Sequence, residues 1–529
     1  MPLTYRNGRR RRAAAAALTA VLATTLSGCA LNVFSGGPTD SQTLPSPTLP
    51  ASPVAPSTTG EEPAPTGQLA RYYDQDVSWE PCRGGDQCAT VEVPLDYSHP
   101  AGRSISLAVL KAPAADPDQR VGSLVVNPGG PGGSGVDYAA QAASYFGPEL
   151  RQAFDIVGFD PRGVGESTPV QCLSDQQLDT FVASDPDPDD RAEVRRSDHL
   201  LSEFGHGCLE RSGALAAHVS TEEAAKDMDV LRAVLGDRKL TYFGASYGTF
   251  LGATYADLFP DRVGRMVLDG AIDPSLSTLR MSLVQAKGFE TALRAYVGHC
   301  VDSGSCFLGG TVDEGTARIR RFLDDVEAHP IDGSGGRRLT AGTAVLGIWA
   351  PLYNENYWPL LDTALKSAFS GDGGPLLTLS DAYTSRGADG YTDNSMEALY
   401  AVNCLDHDDA IPSAKVARYI PRFEKASPTF GAIFAYSLSS CSRWPVHTGR
   451  VPEPVHAPGA PPILVIGTTR DPATPLAWAR ALAHQLDSGI LVKRDGDGHT
   501  GYHAGNQCVD DTVESYLVSG RVPKGEVDC

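Results

Sequence analysis

The chain has 529 residues, 41% of them hydrophobic, which is enough for a large buried core and for several domains or one long domain with insertions. Its 64 acidic against 44 basic side chains give a formal net charge of -20, which excludes a nucleic-acid backbone as partner because like charges repel. Small or peptide-like substrates fit that charge.

The amino-terminus reads as an export signal over residues 1–28. Arg9, Arg10, Arg11 and Arg12 form a positive region, residues 13–26 an apolar core too short for a stable transmembrane helix, and Leu26-Ser27-Gly28-Cys29 closes it. Small residues before a cysteine resemble a lipoprotein cleavage site, which would leave Cys29 amino-terminal, lipidated and anchored to the outer face of the cell membrane. The alternatives are a plain secretory signal that releases the protein and, given the paired arginines, twin-arginine export. Residues 29–68 are rich in Pro, Ser, Thr and Gly with few apolar side chains, a composition expected to stay unfolded as a tether.

Strand and helix signals then alternate. Residues 104–111, 122–126 and 153–159 read as strands, the last two ending in glycine-containing loops. Residues 221–235 read as an amphipathic helix capped by Ser220 or Thr221 with Glu223 nearby. Residues 240–243 and 265–268 are further apolar runs, with a helix over 249–258 between them. The next comparable strands are 462–467 and 489–493, so roughly 190 residues interrupt the alternation, far more than a crossover needs. The expected fold is α/β, a doubly wound, mostly parallel sheet with a large, mainly helical lid. Its first part spans 69–270, the lid 271–460 and its second part 461–529. Helical stretches at 289–297, 312–326 and 357–369 mark the lid as folded.

Ten cysteines follow Cys29: Cys82, Cys88, Cys172, Cys208, Cys300, Cys306, Cys404, Cys441, Cys508 and Cys529. An even number outside the cytosol favours disulfides, and pairing of sequence neighbours would give five, although sequence does not fix connectivity. No C-x-x-C pair is present, so neither zinc nor any other metal is expected, and no cofactor motif appears.

Gly244-Ala245-Ser246-Tyr247-Gly248 lies between a strand and a helix. A serine on that turn is forced into a strained backbone, and residues two before and two after must lack side chains to avoid collision. Both are glycine. The turn lifts the hydroxyl above the sheet edge, where the helix amino-terminus favours developing negative charge. Such a serine needs a base and an orienting acid, in the chain order Ser, acid, His for this fold class. Asp471 follows one late strand and His499 the next. His503 is the rival base, Asp495 and Asp497 the rival acids, while His299, His407 and His447 fall in the lid. The loop Asn127-Pro128-Gly129-Gly130-Pro131-Gly132-Gly133-Ser134-Gly135 suits an oxyanion hole, with the Gly130 and Tyr247 amides as donors and Gly129 as fallback. It lacks the lysine of a phosphate-binding loop.

With this loop, the serine turn and Asp160-Pro161-Arg162-Gly163-Val164-Gly165-Glu166-Ser167 together, the chain resembles the secreted tripeptidyl aminopeptidases of actinobacteria in the proline iminopeptidase group of α/β-hydrolases. It is similar also to their mycobacterial lipoprotein relatives, called carboxylesterases or serine proteases. The likeness runs from about residue 70 to Cys529, including Trp444-Pro445. It implies a triad of Ser246, Asp471 and His499, an oxyanion loop at Gly129 to Gly132, and release of short peptides, tripeptides in particular, from a free amino-terminus. Pro128 departs from the histidine that iminopeptidases carry there. An aminopeptidase also needs acids for the substrate ammonium, and the lid offers Glu355 and Asp406, with Asp408 and Asp409 nearby. The competing expectations are an esterase or lipase-like hydrolase of the same fold and an inactive binding lipoprotein.

Overall fold

The computed structural model describes residues 65–529; the expected leader, Cys29 and the tether up to residue 64 lie outside them. Continuous apolar runs form the centre of the sheet because both faces are covered. Every residue of β4 (Gly122–Asn127), β5 (Phe154–Phe159), β6 (Leu240–Ala245) and β7 (Val263–Asp269) is buried. β3 (Ser104–Ala112) instead alternates, with Ile105, Leu107 and Val109 inward, as suits a strand with one covered face. The set is completed by β1 (Glu80–Cys82), β2 (Asp86–Pro94), β8 (Ile463–Arg470), β9 (Gly489–Asp497) and β10 (Val527–Asp528).

The spatial order is β1-β2-β3-β5-β4-β6-β7-β8-β9-β10. β1, β2, β3 and β5 pair antiparallel in turn, and every pairing from β5 onward is parallel. Winding therefore reverses between β4 and β6. In open α/β sheets the crevice outside the carboxyl ends of strands at such a reversal is where ligands bind.

Helices α1 (Gly135–Ala140), α2 (Thr221–Val234), α3 (Tyr247–Leu258), α4 (Thr278–Asp302), α5 (Ser395–Asp406), α6 (Leu476–Gln485) and α7 (Gln507–Ser519) matter most for the site. Ser220 caps α2 by accepting from the Glu223 amide. One face of the sheet packs against residues of α2, α3 and α6, the other against α1 and α7. The segment between β7 and β8 has a core of its own, built on Phe289, Leu293, Leu323, Leu361, Phe423 and Phe430. It is not a single unit, since Ala398, Ala401, Val402 and Leu405 of α5 are buried with the sheet instead. A further 22-residue helix, Arg191–Ser212, stands between β5 and α2 where no element is expected from the apolar pattern.

Five disulfides join sequence neighbours: Cys82–Cys88, Cys172–Cys208, Cys300–Cys306, Cys404–Cys441 and Cys508–Cys529. Two of them lie within the segment between β7 and β8.

Candidate active site

β6 ends at Ala245 and α3 begins at Tyr247, leaving Ser246 alone on the turn with φ 56° and ψ -123°. That backbone costs on the order of 1–3 kcal/mol and persists only where neighbours over-determine it. Here the Ser246 amide donates to the Asp269 carbonyl at 2.8 Å, and its carbonyl accepts from the Thr249 amide at 2.8 Å and Thr249 Oγ1 at 2.6 Å. The two flanking glycines meet face to face: a methyl group on Gly244 would lie 2.3 Å from the Gly248 carbonyl oxygen.

The glycine loop after β4 rests directly on this turn. Gly129 has φ 99°, and a methyl group there would sit 2.5 Å from the Ala245 carbonyl oxygen and 2.9 Å from the Tyr247 nitrogen. Gly130 and Tyr247 line one cavity together with Ser246. As the first residue of α3, Tyr247 has an amide with no intrahelical acceptor, so it is available to an oxyanion, where one donor is worth roughly 3 kcal/mol. Gly129 is corrected as the fallback donor, because its amide already donates to Asn127 Oδ1 at 2.9 Å.

Asp471 follows β8 and His499 follows β9, and their side chains meet: His499 Nδ1 lies 3.0 and 2.9 Å from the two Asp471 oxygens. Asp471 is 2% exposed and accepts from the amides of Ala473 at 2.9 Å, Thr474 at 2.8 Å and Thr500 at 3.2 Å, and from Thr474 Oγ1 at 3.0 Å. This fixes the carboxylate toward the ring and leaves Nε2 for the serine. Burial opposes protonation of His499, but the Asp471 charge and hydrogen bond, with Asp269 behind them, outweigh it and raise its pKa above the ordinary value. The His499 amide donates to the Tyr353 carbonyl at 2.8 Å, and the two rings meet edge to face at 5.2 Å.

Gly270, which follows the residue whose carbonyl holds the Ser246 amide, lies against the base: a methyl group on Gly270 would lie 3.2 Å from His499 Cε1. No Ser246 Oγ to His499 hydrogen bond is closed among the described residues, a contact that commonly tightens only with substrate bound. The rivals are engaged elsewhere. The exposed His503 donates its amide to Asp510 at 2.7 Å, and Asp495 and Asp497 pair with Arg470 at 3.0 and 2.8 Å.

The expected ammonium-binding acids require correction. Asp406 is 4% exposed and accepts from the Thr221 amide at 3.0 Å and from Thr221 Oγ1, with Arg450 at 3.3 Å, while Thr221 Oγ1 meets the Tyr247 hydroxyl at 2.6 Å. It braces α2 and α3 from behind the turn. Glu355 is exposed on a short helical turn and does not line the cavity. Asp408 pairs with His447 at 2.7 Å, and Asp409 accepts the Thr278 amide at 2.9 Å.

The cavity holds about 320 Å³. Its walls include Phe250, Met281, Gln285, Tyr383, Tyr400 and Asn403, and no Asp, Glu, Lys or Arg is among the described residues lining it. Asp96, His218 and Glu223, and separately Asp185, Asp187 and Glu327, have ligand atoms within 4.8 Å of one another, and neither group lines the cavity. Sequence reasoning missed three supports: Thr474, Tyr353 and Asp269. The first was legible, since an aspartate accepting amides two and three residues on is a local turn habit of that side chain.

Residues 122–311 match the family described as alpha/beta hydrolase fold, and residues 427–529 the family described as TAP-like protein. Over 476 residues the chain is 36% identical to the serine protease Hip1 of Mycobacterium tuberculosis, covering 86% of this chain and 91% of that protein. It is 38% identical over 501 residues to carboxylesterase B of the same organism, covering 91% and 95%. With the tripeptidyl aminopeptidase of Streptomyces lividans it shares 33% identity over 478 residues, 87% of this chain and 88% of the relative.

Proposed function

This chain belongs to the α/β-hydrolases that carry the TAP-like carboxy-terminal segment and is a serine hydrolase, and from that premise we propose that it cleaves short peptides from their free amino-terminus, releasing tripeptides. The observation that carries the reading is the cavity at Ser246. At about 320 Å³ it lies at the small end of ligand sites, which run about 300–1,000 Å³, so it suits a short acyl segment. Relatives named for peptidase activity support the bond type.

In the proposed cycle His499 Nε2 takes the proton from Ser246 Oγ as that oxygen attacks the scissile carbonyl. Asp471 holds the ring in the required tautomer and stabilises the imidazolium. The Gly130 and Tyr247 amides receive the oxyanion. His499 then protonates the leaving amine, and a water deprotonated by the same ring releases the acyl group. A tripeptide p-nitroanilide with a free amine and its amine-blocked form test the reading: the free form should be turned over and the blocked form should not.

A second reading is favoured by the uncharged walls, which offer no counter-ion to an ammonium. An esterase of neutral acyl groups would treat the free and blocked substrates alike. That outcome would replace the exopeptidase reading.

The protein is further proposed to be exported and lipid-anchored at Cys29, a reading supported by Leu26-Ser27-Gly28-Cys29 and by five disulfides that suit an oxidising compartment. Replacing Cys29 by alanine should move the protein out of the membrane fraction.

A further inference from the structure

The triad's supports converge on Asp269, whose carboxylate takes no part in the Ser246, Asp471 and His499 chemistry itself. Asp269 closes β7 between the serine strand β6 and the acid strand β8, and it is 1% exposed. Its main chain serves the nucleophile, since its carbonyl accepts the Ser246 amide at 2.8 Å. Its side chain serves the base. Oδ1 accepts the Gly501 amide and Oδ2 the Tyr502 amide, each at 2.8 Å, two and three residues beyond His499. These two amides belong to buried residues, so without the carboxylate they would lose their acceptors.

We propose that Asp269 is a positioning residue that sets the separation of Ser246 from His499, holding the serine turn by its carbonyl and the histidine loop by its carboxylate. The proposal rests on the triad reading and holds for peptide or ester substrates alike. Its charge has a second effect, because Asp269 stands close enough to favour the protonated form of His499. The titratable groups facing it are Asp471 from the β8 loop, His499 from the β9 loop and Tyr138 from α1. Burial raises the Asp269 pKa to about 6, against the pull of its two amides and His499. The carboxylate is therefore ionised at neutral pH.

Asp269→Asn in the full chain keeps the shape, loses the charge and sets an NH2 group against an amide that needs an acceptor. With p-nitrophenyl acetate, kcat should fall by about 10- to 100-fold, the scale of a small misplacement of reacting groups, with KM within about two-fold. The acid limb of kcat should move to lower pH, since His499 loses one of two anions. Wild-type kcat, or a lowered melting temperature with an unmoved acid limb, would overturn the proposal. Hydrogen exchange of the wild-type protein needs no variant: slow exchange at the Gly501 and Tyr502 amides supports it, and unprotected amides there overturn it. Turnover surviving in Ser246→Ala would defeat the triad reading instead, a result distinct from either outcome for Asp269.

Discussion

The loops at the carboxyl ends of β4, β6 and β8 and the helical segment between β7 and β8 meet at one cavity, yet they are held by different forces. The loops are fixed by short hydrogen bonds to main-chain groups, such as the Ser246 amide on Asp269 and the Ala473 and Thr474 amides on Asp471. The helical segment is fixed by side-chain packing around Phe289, Phe423 and Phe430 and supplies much of the cavity wall, including Thr278, Met281, Tyr383 and Tyr400. Hydrogen-bonded loops keep reacting atoms in register, and a packed apolar wall decides what shape enters. Changes in the first region should therefore appear in kcat, and changes in the second in KM.

Asp471→Asn is the strongest attempt to break this division. Losing the charge that orients His499 should lower kcat by about 10³- to 10⁴-fold, by analogy with serine triads in general, while KM for a peptide anilide stays near its starting value. A comparable rise in KM would mean that the two regions are not separate. Gly129→Ala comes next. Its methyl group has no room beside the Ala245 carbonyl and the residue has φ 99°, so the loop must withdraw from the serine turn. The Gly130 donor withdraws with it, and kcat should drop by about 10²-fold, the cost of a lost oxyanion contact. Rates that remain high would place the hole elsewhere.

In the wall, Tyr400→Ala removes a ring that lines the cavity and packs against Phe181 and Phe204 at 5.1 and 4.9 Å. KM for a tripeptide anilide should rise by about ten-fold, or about 1.4 kcal/mol, with kcat for p-nitrophenyl acetate unchanged. A smaller effect concerns pH. Since the His499 pKa is raised above 6.5 and the base must be neutral, activity should be lost as pH falls through that raised value, with the acid limb above 6.5. A kcat profile flat through that range would remove His499 as the base.

The same contrast governs how much could be read from the sequence. Ser246, Asp471 and His499 were legible because each follows an apolar run, and a strand followed by a loop is a local pattern. Asp269 was not, although it also ends a strand, because nothing nearby in sequence marks the amides of Gly501 and Tyr502 as its partners. Asp406 was misread for a related reason. An acid in a lid looks available to substrate until Thr221 and Arg450, distant in sequence, are found to occupy it. The helix Arg191–Ser212 escaped because it buries only Phe204, Gly205 and Cys208, too few for an apolar stripe. Its signal was the capping box of Asp190 and Glu193.

The disulfides give the finest test of the division, because two lie in the same segment but only one touches the cavity. Cys404–Cys441 has a sequence separation of 37 and Cys441 lines the cavity, whereas Cys300–Cys306 has a separation of 6 and does not. Loop-closure entropy gives about 4 kcal/mol for the longer loop and about 2 kcal/mol for the shorter. Serine at both positions of the long bridge should lower the denaturation midpoint and raise KM for peptides. Serine at both positions of the short one should lower the midpoint less and leave kcat and KM within about two-fold. If removing the short bridge shifts KM as much as removing the long one, the segment transmits strain as one body, and its wall is tied to the whole helical core.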